Sequence, residues 1–144
     1  MKTNTNSFKK ILVALDGSKN SIRALSNAIQ LAKQTDASIT GIFVIQAFPT
    51  EMGLMKTMVG KALSKHYKHF MQVAKMMCTK KDVKFLEVVK YGEEGKTIVS
   101  FAHKNNFDLI VVGSRGMGKL RELFLGSTSN YVVHSSKIPV LIIK

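Results

Sequence analysis

The sequence predicts an α/β fold in which helices cover both faces of one parallel sheet. Strand-length apolar runs and amphipathic helical segments alternate five times along the 144 residues, the order expected of such a sheet with right-handed crossovers. The apolar runs are continuous rather than alternating with polar residues, so we expect these strands to be buried on both faces. A hydrophobic content of 45 % is enough for one core. We therefore predict a single domain.

The first strand and helix follow a polar N-terminal sequence. Residues 11–15, Ile-Leu-Val-Ala-Leu, form a continuous apolar run that ends at Asp16. A helix is expected over 18–34, because apolar residues recur there at spacings of three and four. These residues are Ile22, Leu25, Ala28, Ile29 and Ala32. Ser18 or Ser21 is a suitable N-cap for this helix.

The second strand and helix are separated by a turn. Residues 38–47, SITGIFVIQA, have the composition of a strand, and a turn is expected around Pro49 and Gly53. A long helix is then predicted over 54–80, with apolar residues on one side and lysines on the other. The apolar positions are Val59, Ala62, Leu63, Tyr67, Phe70, Ala74 and Met77, and the lysines are Lys61, Lys65, Lys68 and Lys75. We expect the lysine face to be solvated.

The second half of the chain continues the alternation. A third strand is predicted over 83–89, a helix over 93–105 and a fourth strand over 107–112. A short helix over 127–135 and a last strand over 139–143 follow. In parallel α/β sheets, ligands bind beyond the carboxyl ends of the strands, near the point where strand order reverses. The loop after the fourth strand therefore leaves the sheet at the edge where a ligand is expected.

The charge of the chain makes a polyanionic partner a candidate. The net charge is +13, from 22 Lys and Arg against 9 Asp and Glu. The lysines are spread along the chain, however, and neither a recognition motif nor an array of base-stacking aromatic residues accompanies them. We therefore keep nucleic-acid binding as a minor alternative.

The sequence also bears on location. No apolar run approaches the roughly 20 residues that span a bilayer, and the N-terminal sequence is polar without an apolar signal-peptide core. We expect a cytoplasmic protein with no membrane partner. The single cysteine, Cys78, cannot form an intramolecular disulfide, which fits a reducing compartment.

A metal site on the second helix is a weak hypothesis. His66 and His69 lie three residues apart, so that both side chains could reach one ion. Met76, Met77 and Cys78 follow them on the same helix. Because methionines at helical spacing are ordinary core residues, we do not favour a metal here.

The segment 113–130, GSRGMGKLRELFLGSTSN, contains part of a P-loop motif. Gly113, Gly118 and Lys119 fit its spacing. A P-loop then needs a Ser or Thr whose hydroxyl binds magnesium, and Leu120 stands there instead. The segment is therefore not a P-loop, although its glycines follow a predicted strand at the ligand-binding edge.

A second spacing within the same segment still suggests a phosphate site. Gly113 and Gly116 would let the backbone approach an anion closely, with amide groups turned towards it. Gly126, Ser127 and Thr128 then begin a helix, where unpaired N–H groups and the positive end of the helix dipole favour phosphate. The two groups of donors would converge on one polyphosphate.

This spacing resembles the ATP-binding signature of the universal stress protein family, G-x-x-G, nine residues, G-[ST], which reads here GSRG, MGKLRELFL, GS. The opening ILVALDGSKNSIRALSNAIQLA and the ending GSTSNYVVHSSKIPVLIIK resemble the family too. The resemblance implies a Rossmann-like, adenine nucleotide alpha hydrolase-like domain with a five-stranded parallel sheet over residues 10–144, after a polar tail at 1–9. It also implies that ATP, or AMP or ADP, binds as a ligand, with Mg²⁺ beside the phosphates.

The resemblance assigns roles to individual residues. Asp16 would contact the ribose, since a carboxylate can accept hydrogen bonds from the ribose hydroxyls. The alternative is that Asp16 only forms a tight turn and caps the helix. Ala14 and Val44 would line the adenine through backbone contacts, although Val44 in a buried strand is also an ordinary core residue. The phosphate positions are Gly113, Gly116, Gly126, Ser127 and Thr128.

The leading functional hypothesis is a nucleotide-dependent regulatory module. No catalytic residues are assigned, because the sequence contains neither a recognisable Ser-His-Asp set nor a pair of acids near the phosphate positions. A slow ATPase or phosphotransfer enzyme that uses the same pocket is the alternative. The family resemblance also implies a homodimer through the last strand, Val140–Ile143, since an uncovered edge strand tends to pair with a second copy.

Overall fold

The computed structural model describes residues 7–46, 58–116 and 124–144, with the backbone alone over 58–64. In these residues five strands alternate with four helices. The elements are β1 (Lys10–Ala14), α1 (Lys19–Thr35), β2 (Ser38–Ile45), α2 (Met58–Thr79), β3 (Phe85–Tyr91), α3 (Glu94–Lys104), β4 (Leu109–Gly113), α4 (Ser127–Ser135) and β5 (Val140–Ile143). The predicted α/β class and five-stranded sheet are confirmed.

All strand pairs are parallel, and the strands lie in the order β3-β2-β1-β4-β5. The chain moves outward from the central β1 to β2 and β3, and then returns to the other side of β1 with β4 and β5. Val13 in β1 is the register partner of both Gly41 in β2 and Val111 in β4. The strand order reverses between β1 and β4, so a crevice is expected beyond their carboxyl ends.

The apolar run of β1 divides between two cores because successive side chains of a strand point to opposite faces. Ile11 and Val13 pack with residues of α1 and α2, including Leu25 and Phe70. Leu12, between them, belongs to the other cluster, which contains residues of α3 and α4. A strand buried on both faces therefore needs apolar residues at every position, as the sequence showed.

Two strands begin later than predicted, because the residues before them close the preceding helix. Val83 is buried, but its N–H donates to the carbonyl of Cys78 at 3.0 Å, at the end of α2. Phe107 likewise donates to Ala102 at 3.1 Å, at the end of α3. Both segments contain a residue with positive φ, Asp82 or Asn106, that turns the chain back. β3 therefore begins at Phe85 and β4 at Leu109.

Some predictions fall on residues that the structure does not describe. The turn around Pro49 and Gly53 and the start of the second helix at 54–57 lie outside the described residues. The second strand ends at Ile45, so its predicted extension to 47 was too long. The boundary between the polar tail and the domain stays a prediction, since residues 1–6 are also outside them. Among the described helices, none is long and apolar enough to cross a membrane.

Candidate functional site

A cavity of about 510 Å³ opens beyond the carboxyl ends of β1, β2 and β4. This is the edge at which parallel α/β sheets bind ligands. The structure brings all the predicted site residues to its lining: Ala14, Asp16, Val44, Gly113, Gly116, Gly126, Ser127 and Thr128. Four separate segments of the chain supply them, so it is the crossover topology that brings them together.

One side of the cavity is apolar. Val44 and Ile98 line it and belong to the buried core on the α3 and α4 face, and Val112 lies beside them at the end of β4. Ala14, at the end of β1, is half-buried on the same side. Val44 is therefore a core residue and a cavity residue at once, and its contact with a base stays a prediction.

Asp16 forms the turn between β1 and α1 with one of its two carboxylate oxygens. Oδ1 accepts a hydrogen bond from the backbone N–H of Ser18 at 2.8 Å, and Gly17 between them has a φ of +82°. Ser18 then caps α1, its Oγ accepting from the N–H of Ser21 at 3.1 Å. Oδ2 points towards Gly116, 2.7 Å from where a Cβ would lie on that residue. Among the described residues no group donates a hydrogen bond to this second oxygen, so it can accept one from a ligand hydroxyl.

Two glycines of the signature are required by space rather than by backbone conformation. A Cβ on Gly113 would lie 3.0 Å from the backbone carbonyl carbon of Asn20, so the end of β4 can approach α1 only without a side chain. A Cβ on Gly116 would collide with the carboxylate of Asp16. These two glycines therefore keep β4 and the loop after it close to the first turn of α1.

The start of α4 is open. Gly126 is its N-cap and provides no side-chain hydrogen bond, so the first amides of the helix, beginning at Ser127, are available for an anion. Ser127 is exposed and is the first helical residue, so the N-cap position belongs to the glycine before it. A phosphate at this helix start stays a prediction.

Ser129 links the start of α4 to the end of β4 by hydrogen bonds, a role that the sequence did not indicate. Its Oγ lies 2.8 Å from the carbonyl oxygen of Ser114 and 3.0 Å from that of Gly126, and the side chain is buried. The N–H of Gly126 also donates to Ser114, at 2.8 Å. The end of β4 and the start of α4 are therefore held together from both sides of the loop.

Glu94 is a second residue that sequence reasoning missed. It is the first residue of α3 and lines the cavity opposite α4. Its Oε2 accepts a hydrogen bond from the Oγ1 of Thr128 at 2.6 Å. Thr128, predicted to face phosphate, therefore directs its hydroxyl to a carboxylate and has its backbone N–H left for an anion.

A family model, described as the universal stress protein family, matches residues 7–144. The chain belongs to the universal stress protein family. Universal stress protein YxiE of Bacillus subtilis is 34 % identical over 154 aligned positions, covering 95 % of this chain and 99 % of the relative.

Solved structures of the family share the fold. UspA from Lactobacillus plantarum superposes with a TM-score of 0.83 at 23 % identity, covering 95 % of this chain and 98 % of that one. A universal stress protein from Archaeoglobus fulgidus, solved in complex with dAMP, superposes with a TM-score of 0.72 at 21 % identity, covering 96 % and 99 %. At these identities the structures establish the architecture, and the ligand belongs to the protein in which it was seen.

His66 lines the same cavity from α2, a position that its place among lysines did not indicate. Its Nε2 lies 2.8 Å from where a Cβ would be on Gly17, and its ring packs edge-on against Phe70, with the ring centroids 5.3 Å apart. His69, by contrast, does not line the cavity. Over the described ranges, no three His, Cys, Asp or Glu side chains are placed to hold one metal ion.

The lysines of α2 lie where the sequence predicted. Lys65, Lys68 and Lys75 are exposed, while Lys61 falls where side chains are not described. Within the described part of the chain, one ion pair forms, between Lys96 and Glu93 at 2.8 Å, and it is on α3. These three lysines of α2 are thus solvated, and none of them lines the cavity.

Proposed function

We propose that this protein binds an adenine nucleotide in the cavity beyond β1, β2 and β4, and that the bound nucleotide regulates a partner. One observation carries the proposal. The open N-terminus of α4, the glycine loop after β4 and the free carboxylate oxygen of Asp16 meet at one cavity with an apolar side. A nucleotide has matching parts, namely anionic phosphates, ribose hydroxyls and a flat base.

The proposed pose follows from these parts. The base lies on the apolar side, against Ala14 and Val44, where backbone groups at the end of β2 can pair with its edge. The ribose hydroxyls donate to Oδ2 of Asp16. The phosphates lie at the first amides of α4, where the unpaired N–H groups and the helix dipole favour negative charge.

Our proposed physiological ligand is ATP with Mg²⁺. The described part of the chain offers a cation few ligands of its own, since no cluster of three candidate side chains occurs there. Mg²⁺ commonly binds through substrate phosphates and one or two carboxylates. Phosphate oxygens would supply most of its ligands, and the ion would neutralise phosphate charge in the cavity.

We infer a regulatory role rather than dedicated catalysis. The residues that line the cavity are mostly glycines, small hydroxyl residues and apolar side chains, which suit binding better than proton transfer. Bound ATP would change the surface that the protein offers to a partner around the cavity. Slow hydrolysis in the same pocket is the enzymatic alternative.

Thermal unfolding in the presence of ligands tests the proposal. The purified protein is melted alone, with millimolar Mg-ATP, with AMP and with sulfate. A ligand at about 100 times its Kd stabilises a protein by roughly 2.7 kcal/mol, which a melt resolves readily. We expect ATP and AMP to raise the Tm well beyond sulfate, because the anion alone lacks the base and the ribose.

A matched pair of variants assigns the effect to the cavity. A Cβ on Gly126 has room, its nearest neighbour being 3.5 Å away, so Gly126→Val can fold while its methyl groups obstruct the phosphate position. Ser38→Val places the same side chain in β2, at the opposite end of the sheet. ATP should stabilise the Ser38 variant normally and the Gly126 variant hardly at all. Equal shifts in both, or none in the unmodified protein, would reject the site.

We also propose a cytoplasmic homodimer that pairs through β5. This strand is an edge of the sheet, and the side chain of Leu141 is 36 % exposed. An edge strand with exposed apolar side chains tends to pair with another strand. Sedimentation velocity of the unmodified protein and of Leu141→Lys distinguishes the states: we expect a dimer that the lysine weakens, and a monomer in both cases would contradict the assignment.

A further inference from the structure

Two helix N-termini meet at one side of the cavity. α3 begins at Glu94 and α4 at Ser127, and the two helices pack together. The side chain of Glu94 reaches across to Thr128, whose Oγ1 donates to Oε2 at 2.6 Å. The carboxylate of Glu94 therefore lies at the N-terminus of α4, whose first amides we assign to phosphate binding.

The carboxylate of Glu94 has a hydrogen-bond donor in Thr128 but no ion-pair partner among the described residues. The neighbouring Glu93 forms an ion pair with Lys96, whereas no cation within the described residues lies within ion-pair distance of Glu94. Glu94 is half-buried and lines the cavity. Charges at such partly buried positions interact more strongly than charges in bulk water, since less solvent screens them.

We propose that Glu94 determines how many phosphates the cavity accepts, by lowering the affinity for each further negative charge on the ligand. The inference rests on the proposed nucleotide site and deepens it. A nucleoside carries no charge and is unaffected, a monophosphate is weakened somewhat, and a metal-free triphosphate is weakened most. Mg²⁺ relieves the repulsion by neutralising the phosphates, so that the site favours the magnesium complex of ATP over the free anion.

A purely structural role for Glu94 makes a different prediction. An acidic residue in the first turn stabilises a helix through its dipole, and this stabilisation does not depend on the ligand. Removing the charge would then lower the stability of the protein while leaving the relative affinities for adenosine, AMP and ATP unchanged. The ratio of affinities is therefore the informative quantity.

Glu94→Gln and Glu93→Gln form a matched pair for this measurement. Each removes one negative charge from the start of α3, but only Glu94 lines the cavity. Glutamine at position 94 retains an oxygen that can accept the hydrogen bond from Thr128, so the local geometry is preserved. Calorimetric titration with adenosine, AMP and ATP, each in EDTA, gives the affinities of the two variants and the unmodified protein.

We expect Glu94→Gln to tighten the binding of metal-free ATP about tenfold, AMP by less, and adenosine not at all. Glu93→Gln should leave the ratio of ATP to adenosine affinity as it is in the unmodified protein. Repeating the titrations with excess Mg²⁺ should reduce the gain for ATP to about twofold, because the cation has already neutralised the phosphates.

Three outcomes would overturn the inference. If Glu94→Gln changes all three affinities by the same factor, or weakens ATP, the carboxylate does not act through ligand charge. If Glu93→Gln has the same effect, general charge rather than this position is responsible. If the unmodified protein and both variants bind none of the ligands, the nucleotide site itself is rejected, and the role of Glu94 is rejected with it.

Discussion

The polar groups at the two ends of the sheet differ in their hydrogen-bond partners. At the amino end, Asp108 Oδ2 accepts from the backbone N–H groups of Lys9 and Lys10 at 2.9 and 2.8 Å. The side chains of these lysines donate in turn to the carbonyls of Thr35 and Asn105, at the ends of α1 and α3. At the carboxyl end, by contrast, α4 begins without a capping side chain and faces a cavity.

The amino end is held by side chains, which suits stability, whereas the carboxyl end has the cavity for which we propose binding. Carbonyls at helix C-termini gather at the amino end, where lysine side chains satisfy them. Helix N-termini gather at the carboxyl end, where Ser18 caps α1 but no side chain among the described residues caps α4, so that its first amides suit an anion. Because all strands are parallel, the helices that connect them all run in the same direction. A ligand can therefore bind the unpaired amides at the carboxyl end, as lysine side chains bind the carbonyls at the amino end.

The largest loss in the free energy of unfolding is expected from Gly113→Val at the carboxyl end. Its Cβ would lie 3.0 Å from backbone and Cβ atoms of Asn20, so either β4 or α1 must move. Forcing extra atoms into such a contact costs typically about 1–3 kcal/mol. Urea denaturation of the ligand-free variant should show this loss, together with weakened nucleotide binding.

Gly126→Ala provides the comparison, since the nearest atom to its Cβ is 3.5 Å away. We expect this variant to keep nearly the stability of the unmodified protein. Equal losses in the two variants would mean that the approach of β4 to α1 is not what the glycine at 113 provides.

The next largest effect is expected at the amino end, from Asp108→Ala. Two backbone N–H groups lose their acceptor, and β1 loses a side-chain link to the start of β4, while the backbone pairing of the two strands remains. We expect a loss of about 1.5 kcal/mol in the free energy of unfolding, with unchanged nucleotide affinity. Denaturation and titration on the same preparation measure the two quantities.

Asp36→Asn is a suitable control for charge. Asp36 has a φ of 55° at the end of α1, a conformation that asparagine tolerates well, and it is exposed. This variant should differ little from the unmodified protein. A drop in affinity in Asp108→Ala, at the far end of the sheet, would show that the two ends are not independent.

The sequence predicted the elements well because their signals are local. The double-sided burial of β1 required apolar residues at every position from Ile11 to Leu15, and the five-residue run is visible in the sequence. The predicted starts of β3 and β4 were early because Val83 and Phe107 are apolar but serve the helix ends before them. A hydrophobicity pattern does not distinguish these two uses of a buried residue.

Some residues of the candidate site could be predicted from the sequence, and others could not. The glycine spacing, Asp16 and Ser127 stand next to predicted strands or helices, so their place at the carboxyl edge followed from topology. Glu94 and His66 reach the cavity from α3 and α2 by side-chain direction, which depends on how those helices pack. A signal for Glu94 was present, since it follows the third strand at the same edge, but no spacing linked it to Thr128.

A smaller effect is expected from Ser18→Ala, which separates structure from binding within the carboxyl end. The Ser18 side chain is buried, and its Oγ accepts from Ser21 as the cap of α1. Loss of an N-cap costs about 1 kcal/mol. Affinity for nucleotide should fall only slightly, since the hydroxyl is already used. Ser100→Ala, on the exposed face of α3, is the control, and a loss of binding as large as in Gly126→Val would assign Ser18 to the ligand.

The smallest effect at neutral pH concerns Cys78, near the end of α2 at the amino end. The side chain is fully buried, and burial raises the pKa of its thiol from 9.0 to about 11. Because the thiolate is the reactive form, a thiol reagent should label the native protein only as fast as it unfolds. Labelling rates measured across urea concentrations test this, and rapid labelling of the native state would show that the amino end opens.

The same burial predicts how stability depends on pH in alkaline solution. The folded protein retains the thiol proton up to about pH 11, whereas the unfolded chain releases it near pH 9.0. Between these values the unfolded state binds fewer protons, so the free energy of unfolding falls as pH rises. Lysines also titrate in this range, but they do so in Cys78→Ala as well. The stability advantage of the unmodified protein over Cys78→Ala should therefore shrink from pH 9.0 to 11, and parallel curves would mean that water reaches the thiol.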